Sequence, residues 1–143
     1  MGTRRRRGEL RRRWGAAALA VALLHPAEAR AGDAGEPPLH LADTGLYADP
    51  GSLQVDPRNL PYAPQYPLWS DGATKRRWIF LPPGTAIDAS SADAWVFPLG
   101  TKVWKEFAFG RKVETRYLEK VSRRTWAIAT YVWNEAGTDA VRA

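Results

Sequence analysis

Phe97-Pro98-Leu99-Gly100-Thr101-Lys102-Val103-Trp104-Lys105-Glu106-Phe107-Ala108-Phe109-Gly110-Arg111-Lys112-Val113-Glu114-Thr115-Arg116-Tyr117-Leu118 decides the fold. Val103, Lys105, Phe107 and Phe109 alternate with Lys102, Trp104, Glu106 and Ala108. Past Gly110-Arg111, Val113, Thr115 and Tyr117 alternate with Glu114, Arg116 and Leu118. A period of two is the strand period, so the stretch predicts two strands joined by a tight turn at Gly110-Arg111.

Working outward, residues 74–81 set Arg76, Trp78 and Phe80 against Arg77, Ile79 and Leu81, a further strand. Residues 125–133 set Trp126, Ile128, Thr130 and Val132 against Ala127, Ala129, Tyr131 and Trp133, the last strand. Short extended pieces are predicted at 85–87 and 94–97. Pro82-Pro83-Gly84, residues 88–93, Ser122-Arg123-Arg124 and residues 134–139 read as turns and loops. Residues 56–67 hold Pro57, Pro61, Pro64 and Pro67. Proline at that density forbids a helix or a central strand. The segment reads as an extended strap anchored by Tyr62, Tyr66, Leu68 and Trp69. Leu41, Leu46 and Tyr47 are predicted to lie on the core. Short strands with Pro/Gly turns indicate an all-β protein, an antiparallel sandwich or barrel, with a jelly-roll-like, incomplete β-sandwich as the expected form.

The N-terminus has another character. Residues 1–13 are cationic, residues 14–24 are an apolar run, and small residues follow to Ala31. This is the plan of a secretory signal peptide over 1–31, with cleavage after Ala29 or Ala31. The run is too short to cross a bilayer as a helix. A flexible leader over 32–38 and one β-sandwich module over 39–143 complete the predicted organisation, and the expected location is periplasmic or extracellular.

The formal charge of +6 comes from the N-terminus, because the remainder has equal numbers of basic and acidic residues. A nucleic-acid partner is therefore not expected. The chain has no cysteine and only His25 and His40 as histidines. Thiolate metal sites, Cys nucleophiles and multi-histidine clusters are excluded. No catalytic residue, metal ligand or cofactor site is expected.

Three places admit a binding reading beside a structural one. Trp69, Asp71 and Lys75 lie on a polar turn between aromatics, where a contact with a ligand or partner competes with a backbone-bonded Asp turn. Lys102, Glu106, Glu114 and Arg116 read mainly as a solvated sheet face. Glu114 and Arg116 are the members open to a buried network instead. Tyr131-Val132-Trp133-Asn134-Glu135 ends a strand in aromatics and polar groups. With Trp104 and Trp69 it allows an alternative, a module that binds carbohydrate or another ligand on an exposed tryptophan, against a core Trp133 followed by a turn.

Leu41-Ala42-Asp43-Thr44-Gly45-Leu46-Tyr47, Pro61-Tyr62, Pro67-Leu68-Trp69-Ser70-Asp71-Gly72-Ala73-Thr74-Lys75-Arg76-Arg77, Leu81-Pro82-Pro83-Gly84, Phe97-Pro98-Leu99-Gly100-Thr101-Lys102, Trp104-Lys105-Glu106-Phe107, Val113-Glu114-Thr115-Arg116 and Tyr131-Val132-Trp133-Asn134-Glu135 follow one another in order. Together they resemble the N-terminal, cysteine-free region of exported bacterial proteins related to dihaem c-type cytochromes. The resemblance covers residues 41–140. In that family a Cys-x-x-Cys-His haem motif lies C-terminal to the Trp-Asn-Glu segment. The resemblance implies a non-catalytic accessory module associated with envelope electron transfer, a fragment or truncated member, with a haem domain or redox partner outside these residues. It implies no haem in this chain and carries over no catalytic residue.

Overall fold

The computed structural model describes residues 35–66 and 68–143. The predicted signal peptide and the start of the leader lie outside them. Six strands pair in sequence order as one antiparallel sheet: β1 (Leu60–Pro61), β2 (Thr74–Phe80), β3 (Lys102–Phe109), β4 (Arg111–Lys120), β5 (Trp126–Trp133) and β6 (Ala140–Arg142). The all-β class expected from the sequence is what the structure has. The layer opposite the sheet is irregular chain from the N-terminal side, and the sequential strand order is a meander. Among the described residues no helix is long and apolar enough to cross a membrane.

Alternation gives each strand a packed side and an open side. The packed side carries a row Trp78–Trp104–Tyr117–Ala129, paired across β2 to β5. Trp104 and Tyr117 are fully buried, with ring centroids 5.7 Å apart. The cover is a 3₁₀ turn, Leu41–Thr44, followed by Leu46 and Tyr47; Leu41, Thr44, Leu46 and Tyr47 are all buried. Thr44 fixes this cover to the sheet. Its hydroxyl donates to the Leu41 carbonyl at 2.7 Å and accepts from Trp104 Nε1 at 2.9 Å. Its carbonyl accepts from Lys102 Nζ at 3.0 Å. A buried indole N–H thus finds an acceptor, as burial in an apolar layer requires.

The proline-rich strap is held differently from the sequence expectation. Tyr62, Tyr66, Leu68 and Trp69 are exposed, so they do not anchor it. Its buried residues are polar: Asn59 Nδ2 donates to the carbonyls of Gly45 and Leu46, each at 2.9 Å. Asp56 accepts from the Arg58 amide and guanidinium. Part of the leader is also fixed, because Tyr131 Oη donates to the Pro38 carbonyl at 2.8 Å and Arg142 pairs with Glu36 at 2.7 Å. β6 was not legible as a strand, since three residues carry no period. The extended pieces predicted at 85–87 and 94–97 reduce to one bridge between Asp88 and Val96. Gly100 is required where that loop rejoins the sheet. Its φ is 78°, and a Cβ there would stand 3.3 Å from the Pro82 ring.

Trp104→Ala is expected to lower unfolding stability by about 3–5 kcal/mol in urea titration, through cavity formation and loss of the indole hydrogen bond to Thr44. Ile128→Ala, on the open side, is expected to change it by less than about 1 kcal/mol.

Candidate functional site

The packed side contains one charged group that a hydrophobic layer does not tolerate alone. Glu106 is 2% exposed. It stands opposite Arg76 on β2, whose guanidinium donates to its Oε1 at 2.9 and 2.6 Å. Lys112 Nζ lies 3.8 Å from the other carboxylate oxygen. The same ammonium sits 4.2 Å from the Trp133 ring and 5.8 Å from the Tyr47 ring. Burial lowers the pKa of Lys112, and Glu106 opposes that shift. Burial and the neighbouring Glu106 both raise that of the Tyr47 phenol, whose oxygen has no hydrogen-bond partner. Arg76 and Lys112 hold the buried carboxylate from both flanks and aromatic rings wall Lys112, so this network is architectural.

Lys112 reaches it through a bulge. Phe107 pairs with Glu114, but Ala108 pairs with Lys112, leaving Val113 as an extra residue. Strict alternation would put Lys112 beside Glu114 on the other side. The predicted solvated face of Lys102, Glu106, Glu114 and Arg116 is therefore divided. Lys102 and Glu106 belong to the packed side, and Glu106 is buried rather than solvated. Glu114 and Arg116 pair with each other at 2.6 Å on the open side and form no buried network.

The open side is the surface with chemistry to offer. Arg77, Lys105 and Arg116 form one cross-strand row, continued by Thr130. Ile79, Val103, Leu118 and Ile128 form the adjacent row. Lys75, Phe107, Glu114, Val132 and Val141 form the row on the other flank. Ile128 is 67% exposed, and Val132 and Val141 are also exposed. Lys105 Nζ and the Arg116 guanidinium sit 4.6 and 4.9 Å from the Phe107 ring. Partial burial, then the charges of Arg77, Arg116 and Lys75, push the Lys105 pKa below its ordinary value, with Glu114 opposing. Four cations thus face one carboxylate across these rows. The other carboxylates that balance the charge of residues 32–143 lie outside these rows.

The loop before β2 adjoins this face. Lys75 Nζ donates to the Leu68 carbonyl. Trp69 is 84% exposed, and its Nε1 donates to Asp71 Oδ1 at 3.2 Å. Asp71 has φ 51°, a left-handed turn residue. Of the predicted site residues, the structure brings Lys75, Glu114 and Arg116 onto one face and links Trp69 and Asp71 to its margin through Lys75. It separates the others. Trp104 is core, and Trp133 is buried with its Nε1 donating to Thr115 Oγ1 at 3.0 Å. Asn134 closes its loop by accepting from the Thr138 amide at 3.0 Å and donating to Thr138 Oγ1. Glu135 is exposed on that loop. A sugar platform on Trp104 or Trp133 is thereby excluded, and among the three predicted tryptophans Trp69 has the free ring. Sequence reading missed Lys105 and the Ile79 row, although their alternation was in view; the register that aligns them was not.

Compared with protein-family models, with curated proteins and with solved structures, the chain matches none.

Glu106→Gln is expected to lower stability by about 3 kcal/mol, measured by urea unfolding, because Lys112 is left charged against aromatic walls. Lys105→Gln is expected to act oppositely and raise the thermal midpoint at pH 7 in low salt. The folded state disfavours charged Lys105, so the penalty is full below its folded pKa. It fades as pH rises from that lowered value to the ordinary lysine value, and the advantage of Gln should fade with it.

Proposed function

We infer that this chain is an exported, non-catalytic β-sheet accessory module that presents its open sheet face to a partner domain. The observation that carries the reading is the asymmetry of the sheet. One side is closed by the 3₁₀ turn and strap, while the other shows aliphatic and aromatic side chains in register across four strands. An exposed, contiguous apolar patch edged by polar groups is the usual mark of an interaction surface. The ordered motifs resembling the cytochrome-related module supply the setting: the cell envelope, with a haem-carrying domain or redox protein as the partner. The n-, h- and c-regions of residues 1–31 support export.

The reading is tested by placing a photo-reactive residue at Ile128 in the full chain, expressed in its native host. The expected outcome is an envelope-fraction adduct that stains for covalent haem, from a chain processed after Ala29 or Ala31. Gln54, exposed just before the strap, is the control position and is expected to give none. A chain retained in the cytosol, or haem-free adducts of equal yield at both positions, would overturn it.

A further inference from the structure

We propose that the partner recognised by the open face is an acidic protein surface, one that sets a row of carboxylates beside a row of aliphatic side chains. The inference rests on the docking reading above and specifies its chemistry. Neighbouring same-side rows of a sheet are about 7 Å apart. The face offers Arg77–Lys105–Arg116 in one row and Ile79–Val103–Leu118–Ile128 in the next. A complement must therefore carry its negative charge about 7 Å from its apolar stripe.

Charge selects this occupant over others. Lys75, Arg77 and Arg116 all act on Lys105 to disfavour its charged form, and Glu114 is the one carboxylate in the rows. Incoming carboxylates relieve that repulsion, which gives attraction at long range and specificity at contact. A second copy of this chain placed face to face would set one cation row against another. Single-stranded nucleic acid stacks its bases on free aromatic faces, but Lys105 and Arg116 lie over the Phe107 ring. Insertion into a lipid layer would carry the central cation row into the apolar region along with the aliphatic row, which is unfavourable.

The test uses the isotope-labelled full chain and four probes: a synthetic peptide repeating Glu-Ser-Val-Ser, which when extended sets Glu and Val alternately about 7 Å apart on one face, polyglutamate, oligodeoxythymidine and phosphatidylglycerol vesicles. Amide shifts at Val103, Lys105, Arg116, Leu118 and Ile128 with the Glu/Val peptide are the expected result. Binding should weaken at least tenfold between about 0.01 and 1 M salt, over which the screening length falls from roughly 30 to 3 Å. Lys105→Glu should weaken it at least tenfold and Ile128→Ser several-fold, with circular dichroism showing both variants folded. The proposal is overturned if polyglutamate binds as well as the peptide, if vesicles or oligonucleotide bind the face more tightly, or if the shifts fall elsewhere or are absent. The Ile128 cross-link separates the two levels. An adduct whose yield is unchanged by Lys105→Glu sinks the acidic partner alone, whereas no adduct sinks the docking reading as well.

Discussion

A carboxylate inside an aromatic layer is the constraint on which this structure turns. Glu106 lies among Trp104, Tyr47, Trp133 and Thr115, all buried, and an unpaired charge in such a place is strongly destabilising. Its partners must come from both flanks. Arg76 donates two hydrogen bonds from β2 to one carboxylate oxygen, and Lys112 approaches the other from β4. That fixes the register of three strands at once, because a one-residue slip of β2 or β4 would move Arg76 or Lys112 to the other side of the sheet. The apolar rows tolerate exchange of one large side chain for another far better than they tolerate a misplaced charge. Register specificity in this sheet is therefore mostly electrostatic, and stability mostly aromatic.

The bulge at Val113 follows from the same requirement. Glu114 and Arg116 belong to the open side, so regular alternation would carry Lys112 there too. One additional residue turns Lys112 inward while leaving Glu114 outward. The inward Lys112 packs against Trp133 and Tyr47, whose rings tie β5 and the N-terminal cover to the Glu106 site. A single irregularity thus couples the cover, the ion network and β5. It also leaves Glu114 as the lone carboxylate within the open rows, where one more basic residue would add to the repulsion at Lys105.

Much of this was legible from alternation. The faces of β3 and β5, the turn at Gly110 and the core role of Leu41, Leu46 and Tyr47 follow from period and residue type, because each is a local property. What was not legible depends on pairing. Glu106 and Glu114 look alike on paper, each a carboxylate amid strand residues, and only the opposition of Arg76 to one and of Phe107 to the other separates burial from exposure. The strap misled for a related reason. Tyr62, Tyr66 and Trp69 are the residues expected to be buried by hydrophobicity, yet proline directs the backbone away from the sheet beyond β1, and Asp56 and Asn59 make the attachment through hydrogen bonds. Composition was least informative of all, since the neutral balance of the chain beyond residue 31 conceals a sheet whose charges are sorted by side.

That sorting acquires meaning from the edges of the sheet. Unpaired edge strands are the usual place for another chain to add. Here β1 is two residues long and ends in Pro61, which has no N–H to offer. At the other end β6 is bridged by His40 opposite Val141, and the Arg142 amide donates to the Leu39 carbonyl at 2.9 Å. His40 is itself held 3.0 Å from Asp139. With short or covered edges and one closed side, the remaining extended surface is the open face. A partner docked there, as proposed above, would form side-chain contacts across strands β2 to β5 and no backbone ladder. Recognition then depends on the cross-strand rows, so the same pairing register that buries Glu106 on one side aligns Arg77, Lys105 and Arg116 on the other.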